Sequence, residues 1–160
     1  MLTAYTDGAC RISNPGLCSC AWVVYSGEDE LISYREYLGP EWHTNNYAEY
    51  MGLIRLLEYL HKTGKRNVKI HCDSKLVVEQ VNLRWNCTNQ HLDKLRTDAY
   101  WMLVHGAHML VHIDGHSGVE GNERADRLCN EELDAHMEEY YFNKARTHGK
   151  ESQCDETQPA

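Results

Sequence analysis

The sequence predicts an α/β fold on a five-stranded mixed sheet, with its elements in the order βββαβααβα. Three observations carry that expectation. Residues 2–39 hold three short alternating runs with brief connections, the pattern of an antiparallel meander. The periodicity then changes to helical spacing over 45–62. Two later strand-like runs, 67–73 and 108–113, are each reached through helical segments, which implies a mixed sheet with helices packed on its faces.

LTAYTDG (2–8) alternates and closes on an aspartate and a glycine, as a strand entering a turn does. ACRISNPG (9–16) is loop chemistry, punctuated by Asn-Pro-Gly. CSCAWVVYSG (18–27) and LISYREYLG (31–39) are the second and third strands, joined by a turn at GEDE (27–30). In the long helix, Tyr50, Leu53, Ile54, Leu57 and Leu60 recur at helical spacing, and Gly64 stops it. NVKIHCD (67–73) is a strand, SKLVVEQVN (74–82) a short helix, RWNCTN (84–89) a connector, and 91–105 a helix. HMLVHI (108–113) is the last strand and 119–139 the last helix. The end is polar and aperiodic. These features predict one domain over 1–140 and a flexible polar tail over 141–160.

A chain of 160 residues, 42% hydrophobic and 25% charged, suits a single core. No apolar run could cross a bilayer, and MLTAYTDG is no signal peptide, so a cytoplasmic monomer without membrane partners is expected. The net charge of -8 argues against a strong non-specific nucleic-acid binder. It leaves room for a nucleic-acid enzyme whose acids hold metal ions against phosphates. Seven cysteines, an odd number with irregular spacing, favour packed, mostly reduced side chains over disulfides or zinc ligands. Cys18 and Cys20, two apart in a strand, share a face.

Four carboxylates fall at informative places. Asp7 closes the first strand and Asp73 the fourth; if those strands are parallel neighbours, the two acids lie side by side at the carboxyl edge. Singly, Asp7 also fits a turn before Gly8, and Asp73 a helix cap. Glu49 begins the face that continues through Leu53, Leu56, Leu57 and Leu60, so it points toward the sheet. It also fits a capping box with Asn46. Asp126 shares one side of the last helix with Asn122, Cys129, Leu133 and Met137, where an acid is costly unless paired or bound to metal. Four oxygen donors from four elements suit Mg²⁺ or Mn²⁺. Two such ions about 4 Å apart promote phosphodiester hydrolysis.

HGAHMLVHIDGH (105–116) raises the alternative of zinc. Alternation instead places His108, His112 and Asp114 on an outer face, and Met109, Val111 and Ile113 toward the core. His116 lies beyond the strand in a glycine-flanked loop, reachable for proton transfer or product release.

The pieces YTDGAC (5–10), SNPG (13–16), TNNYAEY (44–50), HCDSKLVVEQV (71–81) and GHSGVEGNERAD (115–126) together resemble ribonuclease H of type 1. The resemblance spans about residues 2 to 139. It implies the ribonuclease H-like fold and metal-dependent endonucleolytic cleavage of RNA paired to DNA, leaving 5′-phosphate and 3′-hydroxyl ends. It implies two Mg²⁺ or Mn²⁺ ions held by Asp7, Glu49, Asp73 and Asp126. By the same resemblance His116 is the flexible-loop histidine and Glu123 a nearby auxiliary acid. Asn14, Asn45 and Asn46 match positions contacting the hybrid's minor groove, where 2′-hydroxyls mark RNA. Thr44 and Asn89 match a phosphate pocket, and Trp85 an aromatic against the DNA sugar. The basic protrusion of some members is missing, and RWNCTNQH carries one arginine. Two other readings stay open: a DNA nuclease or recombinase on the same scaffold, and a hybrid-binding subunit without turnover.

Overall fold

The computed structural model describes residues 1–154, with side chains through Gly149. Strands β1 (Leu2–Arg11), β2 (Leu17–Ser26) and β3 (Asp29–Tyr37) form the meander, and β4 (Lys69–Cys72) and β5 (Met109–His112) extend the sheet beyond β1. The first three pair antiparallel; β1 with β4 and β4 with β5 pair parallel. Helices α1 (Asn45–Lys62), α2 (Lys75–Val81), α3 (Gln90–Gly106) and α4 (Glu120–Cys154) complete the expected βββαβααβα order.

The sheet is covered on both faces, and β2 records this residue by residue. Trp22 and Val24 join Ala4, Ile70 and the α1 residues Leu53, Leu57 and Leu60 in the main core. The alternate residues Ala21, Val23 and Tyr25 pack against Ala125, Leu128 and Cys129 of α4. Each fully buried leucine contributes about 1.5–3 kcal/mol by leaving water. The α1 stripe therefore fixes which way that helix faces.

Two glycines let α1 lie unusually close to β1. A Cβ on Gly8 would sit 2.6 Å from the Ala48 carbonyl oxygen, and nearer still to the Glu49 nitrogen. A Cβ on Gly52 would sit 2.6 Å from the Asp7 carbonyl oxygen. These neighbours are backbone and cannot swing aside. Gly8→Ala should therefore destabilise the fold by about 1–3 kcal/mol, the usual cost of overpacking. It should also push Glu49 away from Asp7, lowering divalent-ion affinity. Denaturant melts and ion titration of the variant check both effects; an unchanged midpoint would contradict the close approach.

Several expectations are corrected. Strand β1 continues to Arg11, so Asp7 does not close it; only its parallel pairing with β4 stops, at Thr6 opposite Cys72. On β5 and just beyond it the predicted faces hold only in part: His112 and Asp114 are exposed as expected, but Met109 does not face the core. Leu110 lies opposite Ile70 and is 5% exposed, whereas Met109 is 59% exposed. His108 turns inward, and its Nδ1 accepts a hydrogen bond from the Val68 backbone N–H at 3.1 Å. A short edge strand buries few side chains, and a hydrogen-bonded histidine reads as polar, so the start of the strand was misassigned. The last helix runs to Cys154 rather than ending near Glu139. Apolar periodicity fades there, but no proline interrupts the segment, and His136 stacks on Tyr37 at 3.9 Å between ring centroids. Most of the segment read as a tail is thus helical, and residues 155–160 lie outside the described residues.

The cysteines differ too. Cys10 and Cys18, expected to be reduced, are joined by a disulfide. They are directly opposite in the β1–β2 ladder, with 4.1 Å between Cα atoms, a relation that linear spacing conceals. Cys20, Cys72, Cys87 and Cys129 are free.

Candidate active site

The parallel ladder places Asp7 and Asp73 one residue beyond its last pair, on neighbouring strands at the carboxyl edge. Glu49 reaches the same place from α1, just past its first turn. One oxygen from each of the three carboxyls lies within 4.8 Å of the others. Asp7 is buried and also accepts a hydrogen bond from the Gly8 N–H at 2.9 Å; Glu49 and Asp73 are half-buried. Asp73 does not cap α2. Ser74 does so, its hydroxyl accepting from the Val77 N–H at 3.3 Å, which leaves the Asp73 carboxyl to the site. Nor is Asn46 the cap of α1. Thr44 holds that position, and Asn46 lies within the helix.

Asp126 is half-buried on α4 and lies outside the close trio, but its charge acts on both Asp7 and Asp73. Burial, reinforced by the Asp73 and Asp126 charges, holds the Asp7 carboxyl well above the ordinary carboxylate range; a hydrogen bond with Glu49 partly offsets this. Burial and the charges of Asp7 and Asp73 push Glu49 well up as well. Asp73 is raised by burial and Asp126, against a lowering influence from His116. A buried cluster of acids with no cation among them favours either protons or a divalent ion. The donors are all oxygen and converge, so they fit Mg²⁺ or Mn²⁺ better than zinc.

The 113–119 loop arches over Asp73. A Cβ on Gly115 would lie 3.4 Å from Asp73 Oδ2. His116 in this loop is exposed, with φ at 56°, and Gly118 follows with φ at 82°. Glu123 sits half-buried in the first turn of α4. Asp114 is exposed and lies 4.0 Å from His112 Nδ1.

The remaining predicted contacts gather near the start of α1 or on the α2–α3 connector. Asn14 Oδ1 accepts from the Asn45 N–H at 2.9 Å, which ties the β1–β2 loop to α1. The Thr44 hydroxyl caps α1 by accepting from the Tyr47 N–H at 3.1 Å, and Asn89 caps α3 by accepting from the Leu92 N–H at 3.0 Å. Trp85 is 46% exposed, with Lys75 Nζ 5.9 Å from its ring centroid.

Sequence reasoning missed the residues that shape the site from behind. Gly8 and Gly52 set the α1–β1 approach, and only the glycine next to Asp7 hinted at it. The Cys72 thiol stands 4.0 Å from Glu49 Oε2. Asn122, one turn before Asp126, is buried with an unpartnered Oδ1. In the sequence, Asn122 is only one member of the helix face that carries Asp126.

A carboxylate cluster at the carboxyl edge of a mixed sheet, with a histidine on the loop beside it, is an arrangement that could hold a metal ion. The RNase H family model matches residues 1–134. Ribonuclease HI of Halobacterium salinarum is 35% identical over 133 residues, covering 82% of this chain and 63% of that protein. Ribonuclease HI of Caulobacter vibrioides is 33% identical over 144 residues, covering 82% and 92%. The crystal structure of LC11-RNase H1 in complex with an RNA/DNA hybrid superposes with a TM-score of 0.75 at 30% identity, covering 86% of this chain and 99% of that one. The chain belongs to the RNase H family, a family of endonucleolytic hydrolases. Among the described residues no helix is long and apolar enough to cross a membrane.

Proposed function

We propose that this protein hydrolyses the RNA strand of RNA/DNA hybrids with two divalent ions, Mg²⁺ or Mn²⁺, leaving 5′-phosphate and 3′-hydroxyl ends. The observation that carries the reading is the convergence of Asp7, Glu49 and Asp73 within 4.8 Å, with the Asp126 charge acting on Asp7 and Asp73. Asp7, Glu49 and Asp73 would hold the ions, with Asp126 as a further ligand. When bound, the ions would activate water and offset charge on the leaving oxygen. Glu49, on the α1 side with the minor-groove contacts, aligns the attacking water with the RNA 2′-hydroxyl. His116 on its exposed loop assists proton transfer and product departure, with Glu123 as an auxiliary acid nearby.

The capping interactions agree with the substrate contacts. Thr44 uses an oxygen lone pair on Tyr47, so its hydroxyl proton is free for a phosphate. Asn89 uses Oδ1 on Leu92, so its amide N–H groups are free for the same role. Asn14, Asn45 and Asn46 meet the minor groove, and Trp85 lies against the DNA sugar. The protein works as a monomer in the cytoplasm.

A substrate panel in Mg²⁺ tests the reading. Hybrid RNA should be cut, and duplex DNA and duplex RNA should be cut far more slowly. Equal cleavage of duplex DNA would point to a DNA nuclease; hybrid binding without turnover would point to a non-catalytic subunit. His116→Ala should lower kcat by about 100-fold, the low end of what a proton-transfer group contributes. Stabilisation by Mg²⁺ should be unchanged, because the carboxylates are intact. A variant with wild-type kcat would remove His116 from the mechanism.

A further inference from the structure

The Cys10–Cys18 disulfide closes the base of the β1–β2 loop, beside the substrate-facing start of α1. Cys10 lies three residues along β1 from Asp7, and Cys18 stands opposite it on β2. Between them runs the loop that carries Asn14. That loop makes three hydrogen bonds to the segment before and at the start of α1. Gly16 and His43 exchange two backbone hydrogen bonds, each of 2.9 Å, and Asn14 Oδ1 accepts from the Asn45 N–H. Cys18 is fully buried, whereas Cys10 is partly exposed. Cys10 is therefore the less enclosed partner of the pair.

We propose that the Cys10–Cys18 cross-link is a positioning device for the substrate loop, and that thiols release it. The inference rests on the proposed hybrid cleavage, because Asn14 matters as a substrate contact only there. With the bond closed, the loop is held against His43 and Asn45 in the conformation that meets the minor groove. Reduction begins when a dithiol's thiolate attacks the sulfur of Cys10, the less buried partner. The S–S bond breaks, Cys18 leaves as a thiolate and takes up a proton, and a mixed disulfide forms on Cys10. The second thiol of the reagent then displaces Cys10 and closes the reagent's own disulfide. The reagent loses two electrons and the protein gains two thiols. Without its covalent closure the loop opens these hydrogen bonds more often, and it must be ordered afresh at each binding event. The carboxylates are not touched, so the chemical step is unchanged.

Alkylation of the air-oxidised protein before and after dithiothreitol should label two further cysteines, identified by mass spectrometry as Cys10 and Cys18. Reduction should raise KM for a hybrid by roughly three- to tenfold, the size of re-ordering a short segment on binding. Saturated kcat in Mg²⁺ should stay constant. Cys10→Ser/Cys18→Ser should show the raised KM and ignore dithiothreitol, whereas Cys20→Ser should respond as wild type does. Amide hydrogen exchange gives a readout independent of activity. The Gly16, His43 and Asn45 amides should exchange faster in the reduced protein, while β4 amides do not change. Failure to cut hybrid in either state would overturn the hybrid reading and leave the exchange result to decide the positioning claim. No paired cysteines, or equal exchange and equal KM in both states, would overturn the positioning claim.

Discussion

Asp73→Asn is expected to lower hybrid cleavage by roughly 10³-fold or more, since losing one metal-holding carboxylate removes several kcal/mol of transition-state stabilisation. The same substitution should make the metal-free protein more stable. Asp73 is raised by burial and by the Asp126 charge, and its own charge raises Asp7 and Glu49. An amide of the same shape removes one of those repelling charges. A gain of about 0.5–2 kcal/mol is the size seen when a strained functional residue is relieved. Single-turnover cleavage and a thermal melt in chelator check the two halves. Loss of activity together with loss of metal-free stability would mean that Asp73 serves the fold rather than the site.

The second large effect is a pH-dependent stabilisation by Mg²⁺. Asp7, Glu49 and Asp73 all ionise at higher pH in the folded chain than in the unfolded one. Between those values the folded chain binds more protons, so stability falls as pH rises through that window. The window opens near the ordinary carboxylate range, about pH 4, and extends up to the raised folded values. These groups therefore favour the metal-free fold most below the window and disfavour it most above it. Mg²⁺ does the protons' work there. At 100 times its dissociation constant it adds about 2.7 kcal/mol, which for a chain of this size lifts Tm by about 5–11 °C. At pH 5 protons compete and the lift shrinks. Melts at pH 5 and pH 7, with and without Mg²⁺, read both trends. A larger lift at pH 5 than at pH 7 would contradict the sign.

Much of this was legible in the sequence, for identifiable reasons. The α1 stripe from Leu53 to Leu60 has one solution, with its apolar face on the sheet, and that orientation carried Glu49 inward. The meander and the crossovers followed from changes of period. What failed depended on pairing rather than pattern. The phase of β5 turns on Leu110 meeting Ile70, and His108 hid an inward side chain behind a polar name. The Cys10–Cys18 relation exists only in the ladder register. Thr44 and Ser74 took the caps that Asn46 and Asp73 could have filled, and no local signal separated those choices. Gly8 and Gly52 look ordinary until the helix is laid across the strand.

The central claim is that Asp7, Glu49, Asp73 and Asp126 form a metal site that cuts RNA within a hybrid. The most direct test is to titrate Mg²⁺ into the wild-type protein with a hybrid labelled separately on each strand. No cutting is expected in chelator, then cleavage of the RNA strand alone as Mg²⁺ is added, with 5′-phosphate on the new ends. Cleavage that persists in chelator, or an RNA strand left whole in saturating Mg²⁺ and in Mn²⁺, would contradict that claim.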